Sequence, residues 1–113
     1  MSDDPAREMK ARMRADLTDA MKARRADEVT LLRSLLAEID NAEAPAIDGK
    51  AGSGASEVDR LALTAAAVQA VLMSQIEERE RAAAEMTRLS HRDRAEVLLG
   101  QANMARRYLT SSL

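Results

Sequence analysis

A chain of 113 residues with no cysteine, one aromatic residue (Tyr108) and one histidine (His91) excludes disulfides, thiolate metal sites, iron–sulfur clusters, a cysteine nucleophile and multi-histidine metal centres. The length suits one domain or a short pair of subdomains, and a net charge of −2 gives the whole molecule no electrostatic match for nucleic acid. Twenty-three alanines against few β-branched or aromatic residues predict an all-α fold rather than an extensive sheet.

Helix one is predicted to open at Asp4-Pro5, a carboxylate cap followed by proline at the first helical position. Met9, Met13, Leu17, Ala20 and Met21 follow at three- and four-residue steps and mark one apolar face. The helix fades at Arg24-Arg25, where cations suit the negative end of the dipole. Helix two, capped by Asp27, carries Val29, Leu32, Leu35, Leu36 and Ile39 and ends at Asn41-Ala42-Glu43 before Pro45. Residues 44–56, with Pro45 and three of the four glycines, read as a Gly/Ala/Ser-rich linker. Helix three is the longest. It is capped by Thr64, with an earlier capping box from Ser56 to Asp59, and its face is Val68, Val71, Leu72, Ile76, Ala82, Ala83, Met86 and Leu89. Ser90 is expected to cap helix four, with Asp93 in the third position and a face of Ala95, Leu98, Leu99, Ala102, Ala105 and Leu109. Four amphipathic helices bury their stripes only against one another. The expected architecture is therefore two helical hairpins, over 5–43 and 57–109, joined by the linker. The core holds methionine and alanine in place of aromatics.

Several residues break these patterns. Gln75 and Arg79 fall in the middle of helix three's apolar face, and Arg79 has no acid three or four residues away. Arg33 borders the Val29/Leu36 edge of helix two. Each guanidinium either pairs with a carboxylate across the bundle or lines a shallow anion site. Residues 5–26 carry seven Lys/Arg against three Asp/Glu, whereas residues 27–59 carry two against eight. Arg7, Arg14 and Arg25, with Lys10 and Lys22 nearby, form either a solvated charged face or a phosphate contact. His91 reads as a surface or capping residue. Glu77, Glu78, Glu80 and Glu85 lack the Glu-x-x-His of a carboxylate metal site, so no metal is expected. Val97, Met104 and Tyr108 form a second apolar line, opposite helix four's first, and read as a partner or self-association surface, with a homodimer as one outcome.

In order and spacing, these segments resemble the GatB/YqeY family. Asp16-Leu17-Thr18-Asp19-Ala20-Met21-Lys22-Ala23-Arg24 and then Val29-Thr30-Leu31-Leu32-Arg33-Ser34-Leu35-Leu36-Ala37-Glu38-Ile39 resemble the opening of YqeY-like proteins. Leu63-Thr64 with Val68, then Gln75-Ile76-Glu77-Glu78-Arg79, and Ala102 to Arg107-Tyr108-Leu109 continue the pattern, so the resemblance spans about residues 7–109. The family name refers in part to the GatB component of the aspartyl/glutamyl-tRNA amidotransferase, whose related tail region is helical and helps engage tRNA. The resemblance implies a helical accessory module, with tRNA or a protein as partner, and points to Lys22, Arg33 and Arg79 as family-like basic positions. Typical members continue past the Tyr-Leu motif into a second small helical domain. This sequence ends at Thr110-Ser111-Ser112-Leu113, so a family-like domain lacking that part is expected, with the back of helix four uncovered.

Catalysis by this chain alone is not expected. There is no glycine loop to cradle ATP phosphates, no cysteine to attack glutamine and no assignable nucleophile–base pair. No catalytic residue and no cofactor is assigned. At most the chain is an accessory to a carbon–nitrogen ligase that uses glutamine as amido-nitrogen donor, or it is a structural homo-oligomer or scaffold. MSDDPAREMK has no apolar core of a secretory signal, and no apolar run approaches a membrane span. The expected location is the cytoplasm, with no membrane partner.

Overall fold

Capping chemistry sets where the helices begin. The computed structural model describes residues 4–44 and 62–110, which form α1 (Pro5–Lys22), α2 (Ala26–Glu43), α3 (Ala65–Arg88) and α4 (Arg92–Thr110) and no strand among them. Asp4 accepts from the Arg7 N–H at 3.1 Å, and Pro5 opens α1. Thr64 accepts from the Ala67 N–H at 3.0 Å and opens α3. Both starts are those the sequence predicts. Most of the 44–56 linker and the Ser56–Asp59 capping box lie outside the described residues.

The two hairpin turns repeat one backbone motif. Arg24 sits in the left-handed region at φ 57° and Ser90 at φ 67°. After α1, the Arg24 N–H donates to the Met21 carbonyl at 3.2 Å and the Arg25 N–H to the Ala20 carbonyl at 2.9 Å. After α3, Ser90 donates to Thr87 at 3.0 Å and His91 to Met86 at 2.8 Å. This paired closure satisfies the last carbonyls of each helix. The next residue then starts the following helix: the Arg25 carbonyl accepts from Val29, and the His91 carbonyl from Ala95. Two expected caps are therefore corrected. Asp27 lies inside the first turn of α2, where its charge suits the dipole, and Ser90 closes α3 rather than capping α4.

The main core draws on all four helices. Ala6, Met9, Met13 and Ala20 of α1 meet Leu31, Leu32, Leu35 and Ile39 of α2. Val68, Leu72 and Ile76 of α3 and Ala102, Ala105 and Tyr108 of α4 complete it. The hairpins thus share one interior. Three expected core residues are displaced, among them Leu89 at the end of α3. Met21, in the last turn of α1, is 51% exposed, and Leu99 is 46% exposed on the outer side of α4. Leu31 takes the central place on α2, which rotates Val29 and Leu36 to half-buried edges.

Beyond this core the α3–α4 hairpin continues alone. A second, smaller core of Ala83, Ala95 and Leu98, flanked by Ala82 and Met86, holds it together, and Leu89 at its turn is exposed. Glu80 and Arg106 pair across it. The extension accounts for extents of 50 × 35 × 27 Å and a radius of gyration of 16.1 Å, above the roughly 13 Å of a spherical domain of about 100 residues.

Lys10, one of the cations that the sequence places near a charged face, is buried instead. Its ammonium bonds Asp40 at 2.9 Å and the buried carboxylate of Glu43, tying the first half of α1 to the end of α2. Burial by itself lowers the Lys10 pKa. The hydrogen bonds to Glu43 and Asp40 outweigh that and leave it raised above 10.5.

Two outcomes follow from these contacts. Ser90→Gly and Arg24→Gly each relieve a left-handed conformation that a side chain opposes, and each should raise stability by about 0.5–1 kcal/mol in thermal unfolding. Lys10→Met should cost roughly 3 kcal/mol by stranding Glu43. Because the folded state holds the Lys10 proton more firmly, its contribution is complete below pH 10.5 and is lost as pH rises through the raised value. Urea midpoints measured through that range should fall more steeply for the native chain than for the Lys10→Met variant.

Candidate functional site

One cleft gathers charged groups from three helices. It encloses ≈240 Å³ and is lined by Arg12, Asp16 and Asp19 of α1, Glu28, Leu31 and Leu32 of α2, Arg25 at the start of α2, and Met104, Arg107 and Tyr108 of α4. Leu31, Leu32 and Tyr108 are buried residues of the main core, so the cleft is founded on it. The spacing of Arg12, Asp16 and Asp19 at four and three residues puts them on one face of α1. The antiparallel turn at Arg24 then brings Arg25 and Glu28 alongside.

Most of the lining groups are already engaged. The Tyr108 hydroxyl donates to the Asp16 carboxylate at 2.5 Å, and the Arg12 guanidinium lies over the Tyr108 ring, 5.0 Å from its centre. Burial, reinforced by the bond to Asp16, raises the Tyr108 phenol above its ordinary value, while Arg12 opposes the rise. Arg25 pairs with Glu28 at 3.2 Å. Gln101, buried one turn before Met104, donates its side-chain amide to the Asp27 carbonyl at 3.2 Å and fixes α4 against the start of α2. Asp19 and Arg107, one from α1 and one from α4, are exposed, and their side chains form no hydrogen bond or ion pair with the described residues.

The residues singled out by sequence separate into three settings. Lys22, Arg25 and Arg33 are exposed on the α1–α2 hairpin. Arg33 does not border the interior, because it lies two residues from both Leu31 and Leu35, whose side chains define the buried side. Arg79 is half-buried and takes no cross-bundle ion pair among the described residues. Its Nη1 donates to the Gln75 backbone carbonyl at 3.1 Å and to Gln75 Oε1 at 2.9 Å, while Gln75 Nε2 donates to Glu78 at 2.9 Å. The buried Arg79 Nε has no hydrogen-bond partner among the described residues. Burial lowers the Arg79 pKa against the opposing charges of Glu78 and of Glu38 on α2. Arg33 and Arg79 share no described bond, so they do not form a joint site.

The surface line expected on α4 is turned inward. Tyr108 is 5% exposed, Met104 packs against the main core, and Val97 is half-buried. Helix α4 is buried on two sides because the first hairpin covers what the sequence leaves as its back. Sequence reasoning misses Arg12, Asp16, Asp19, Glu28 and Arg107 as a group. Their spacing on α1 is visible, but their meeting with α4 depends on how one hairpin docks on the other.

No group of His, Asp or Glu that could hold a metal ion occurs among the described residues. None of the described helices is long and apolar enough to cross a membrane. No protein-family model, curated protein or solved structure matches the chain.

The tyrosine gives this site an optical reporter, since the chain has no other aromatic residue. In alkaline titration the phenolate band should not develop at the ordinary midpoint of 10.0. It should lag to higher pH and emerge with unfolding. The phenol's contribution to stability is complete below pH 10.0 and is lost as pH rises through the raised value. Tyr108→Phe should cost about 1 kcal/mol and remove the fall in stability that the native chain's phenol produces as pH rises above 10.0.

Proposed function

We propose that this chain is a non-catalytic helical binding module, an accessory of the GatB/YqeY kind, with tRNA as its partner. The single observation that carries the reading is the cluster of exposed cations on the α1–α2 hairpin. Lys22, Arg24 and Arg33 are exposed and their side chains bond none of the described residues, and Arg25 beside them is engaged only by Glu28. The left-handed closure at Arg24 holds three of the four at one rigid turn. Cations placed without aromatic neighbours or a groove-reading helix contact phosphates by charge and do not read sequence. The order of the family-like segments, from Asp16 through Tyr108, supports the same reading.

An accessory role also fits the chemistry present. The cleft places Tyr108 of α4 against Asp16 of α1, which ties the two helices, and Arg25 against Glu28 within the start of α2; neither pair offers an activated nucleophile. A second reading, a homo-oligomer or scaffold, draws on Leu89 and Leu99, each 46% exposed on the α3–α4 extension. Light scattering across a concentration series separates it from a monomeric module.

A gel shift with bulk tRNA tests the main reading. Binding is expected in the micromolar range at low salt and should weaken roughly a hundredfold between about 50 and 200 mM salt, as four phosphate contacts require. Lys22→Glu with Arg24→Glu should abolish it, with the urea midpoint little changed. An absence of salt-sensitive binding at low ionic strength would remove tRNA as the partner.

A further inference from the structure

We infer that the cleft between α1, α2 and α4 binds a small zwitterion, a free α-amino acid with an apolar side chain. The inference goes beyond the tRNA reading and does not depend on it, because it uses Asp19 and Arg107 rather than the exposed turn.

Charge balance selects the ligand class. Three guanidiniums, from Arg12, Arg25 and Arg107, face three carboxylates, from Asp16, Asp19 and Glu28, around one cavity. A polyanion entering it meets the carboxylates, and a polycation meets the guanidiniums. Only a molecule carrying both signs finds a partner on every wall. Four of the six charged groups are already engaged within the protein: Arg25 with Glu28, Asp16 by the Tyr108 hydroxyl, and Arg12 over the Tyr108 ring. One cation and one anion remain uncommitted, Arg107 on α4 and Asp19 on α1. A guanidinium is the preferred partner of a carboxylate, which it grips with two parallel N–H groups. A carboxylate in turn takes an ammonium. Arg107 therefore receives the ligand's α-carboxylate and Asp19 its α-ammonium.

The volume and the floor complete the assignment. At ≈240 Å³ the cleft is smaller than the roughly 300–1,000 Å³ of sites for drug-sized ligands, so it takes one residue-sized molecule and no nucleotide. Leu31 and Leu32 are 0% and 1% exposed, so the apolar contact open to a ligand comes from Met104, half-buried on α4, and it favours an aliphatic side chain over a polar one.

The test is an amide-resolved NMR titration of the full chain with L-leucine, and with its N-acetyl and carboxamide forms, which lack one charge each. Leucine is expected to shift the signals of Asp16, Asp19, Arg107 and Tyr108 saturably, with both blocked forms and glycine at least about tenfold weaker. Asp19→Asn should erase the difference between leucine and N-acetyl-leucine, and Arg107→Gln that between leucine and leucinamide. Both residues are exposed, so their variants should keep the native urea midpoint. The inference is overturned if leucine gives no saturable shift at about 10 mM, or if the blocked forms bind as well as leucine.

Discussion

Burial of the Tyr108 ring is the contact on which the docking of the two hairpins depends. The other fully buried residues that α4 gives the main core are Ala102 and Ala105, with Met104 and Leu109 partly buried against it; the alanines let helices approach closely but define little about how they are rotated. The ring differs in two respects. It removes far more apolar surface from water than an alanine does, and its hydroxyl must find an acceptor when buried. Asp16, on the other hairpin, is that acceptor, and Arg12 one turn earlier covers the ring face. Area holds the hairpins together, and the directional bond selects one rotation among several that would bury similar area. Gln101 adds a second directional tie, to the backbone of α2. The cleft is a consequence of this register. Its floor is the Tyr108–Leu31–Leu32 contact, and its walls are the charged residues that the same docking brings to the rim.

Whatever depends on neighbours in the chain is legible in the sequence. The Asp4 and Thr64 caps, the existence of four helices and most of each stripe are local properties, because capping and a 3.6-residue period act within a turn or two. The two turns are locatable, but their chemistry is not. Arg24 and Ser90 occupy a conformation that usually selects glycine, so nothing in their identity announces it. Lys10 is within reach of sequence reasoning. In a hairpin pivoting at Arg24 it stands opposite Asp40 and Glu43, and it sits one turn from Ala6 and Met13. The cleft is not, since Asp16 and Tyr108 lie 92 residues apart and meet only through the docking of preformed hairpins. The inward rotation of Met104 and Tyr108 is illegible for the same reason: an apolar line on the back of a helix does not say which element covers it.

The α1–α2 hairpin carries two ionic clusters, the second completed by Arg107 of α4, and burial gives them different work. Lys10 and Glu43 are enclosed, with Asp40 at the cluster's exposed edge. Charges there have surrendered water and must stay paired, so the cluster enforces the alignment of α1 with α2 and does not readily exchange partners. Around Arg25, Glu28, Asp19 and Arg107 the groups keep contact with solvent, where ion pairs are worth little and rearrange readily. That end can trade an internal partner for an external one. The open cluster is therefore the one free to exchange partners and the closed one a structural constraint, although both read from the sequence as an undifferentiated run of charge.

The α3–α4 extension supplies the contrasting case. Its separate core consists of Ala83, Ala95 and Leu98, against fourteen buried residues in the main cluster. Free energy of local opening follows buried apolar surface, so the extension lies at the low end of the stability range of this molecule and the bundle at the high end. A ligand site needs walls that do not open more often than the ligand dissociates. By that criterion the cleft, founded on Leu31, Leu32 and Tyr108, is placed where the chain is most rigid. The extension can adjust at its end without disturbing the register on which the cleft depends, because the Gln101 tie to α2 lies between them.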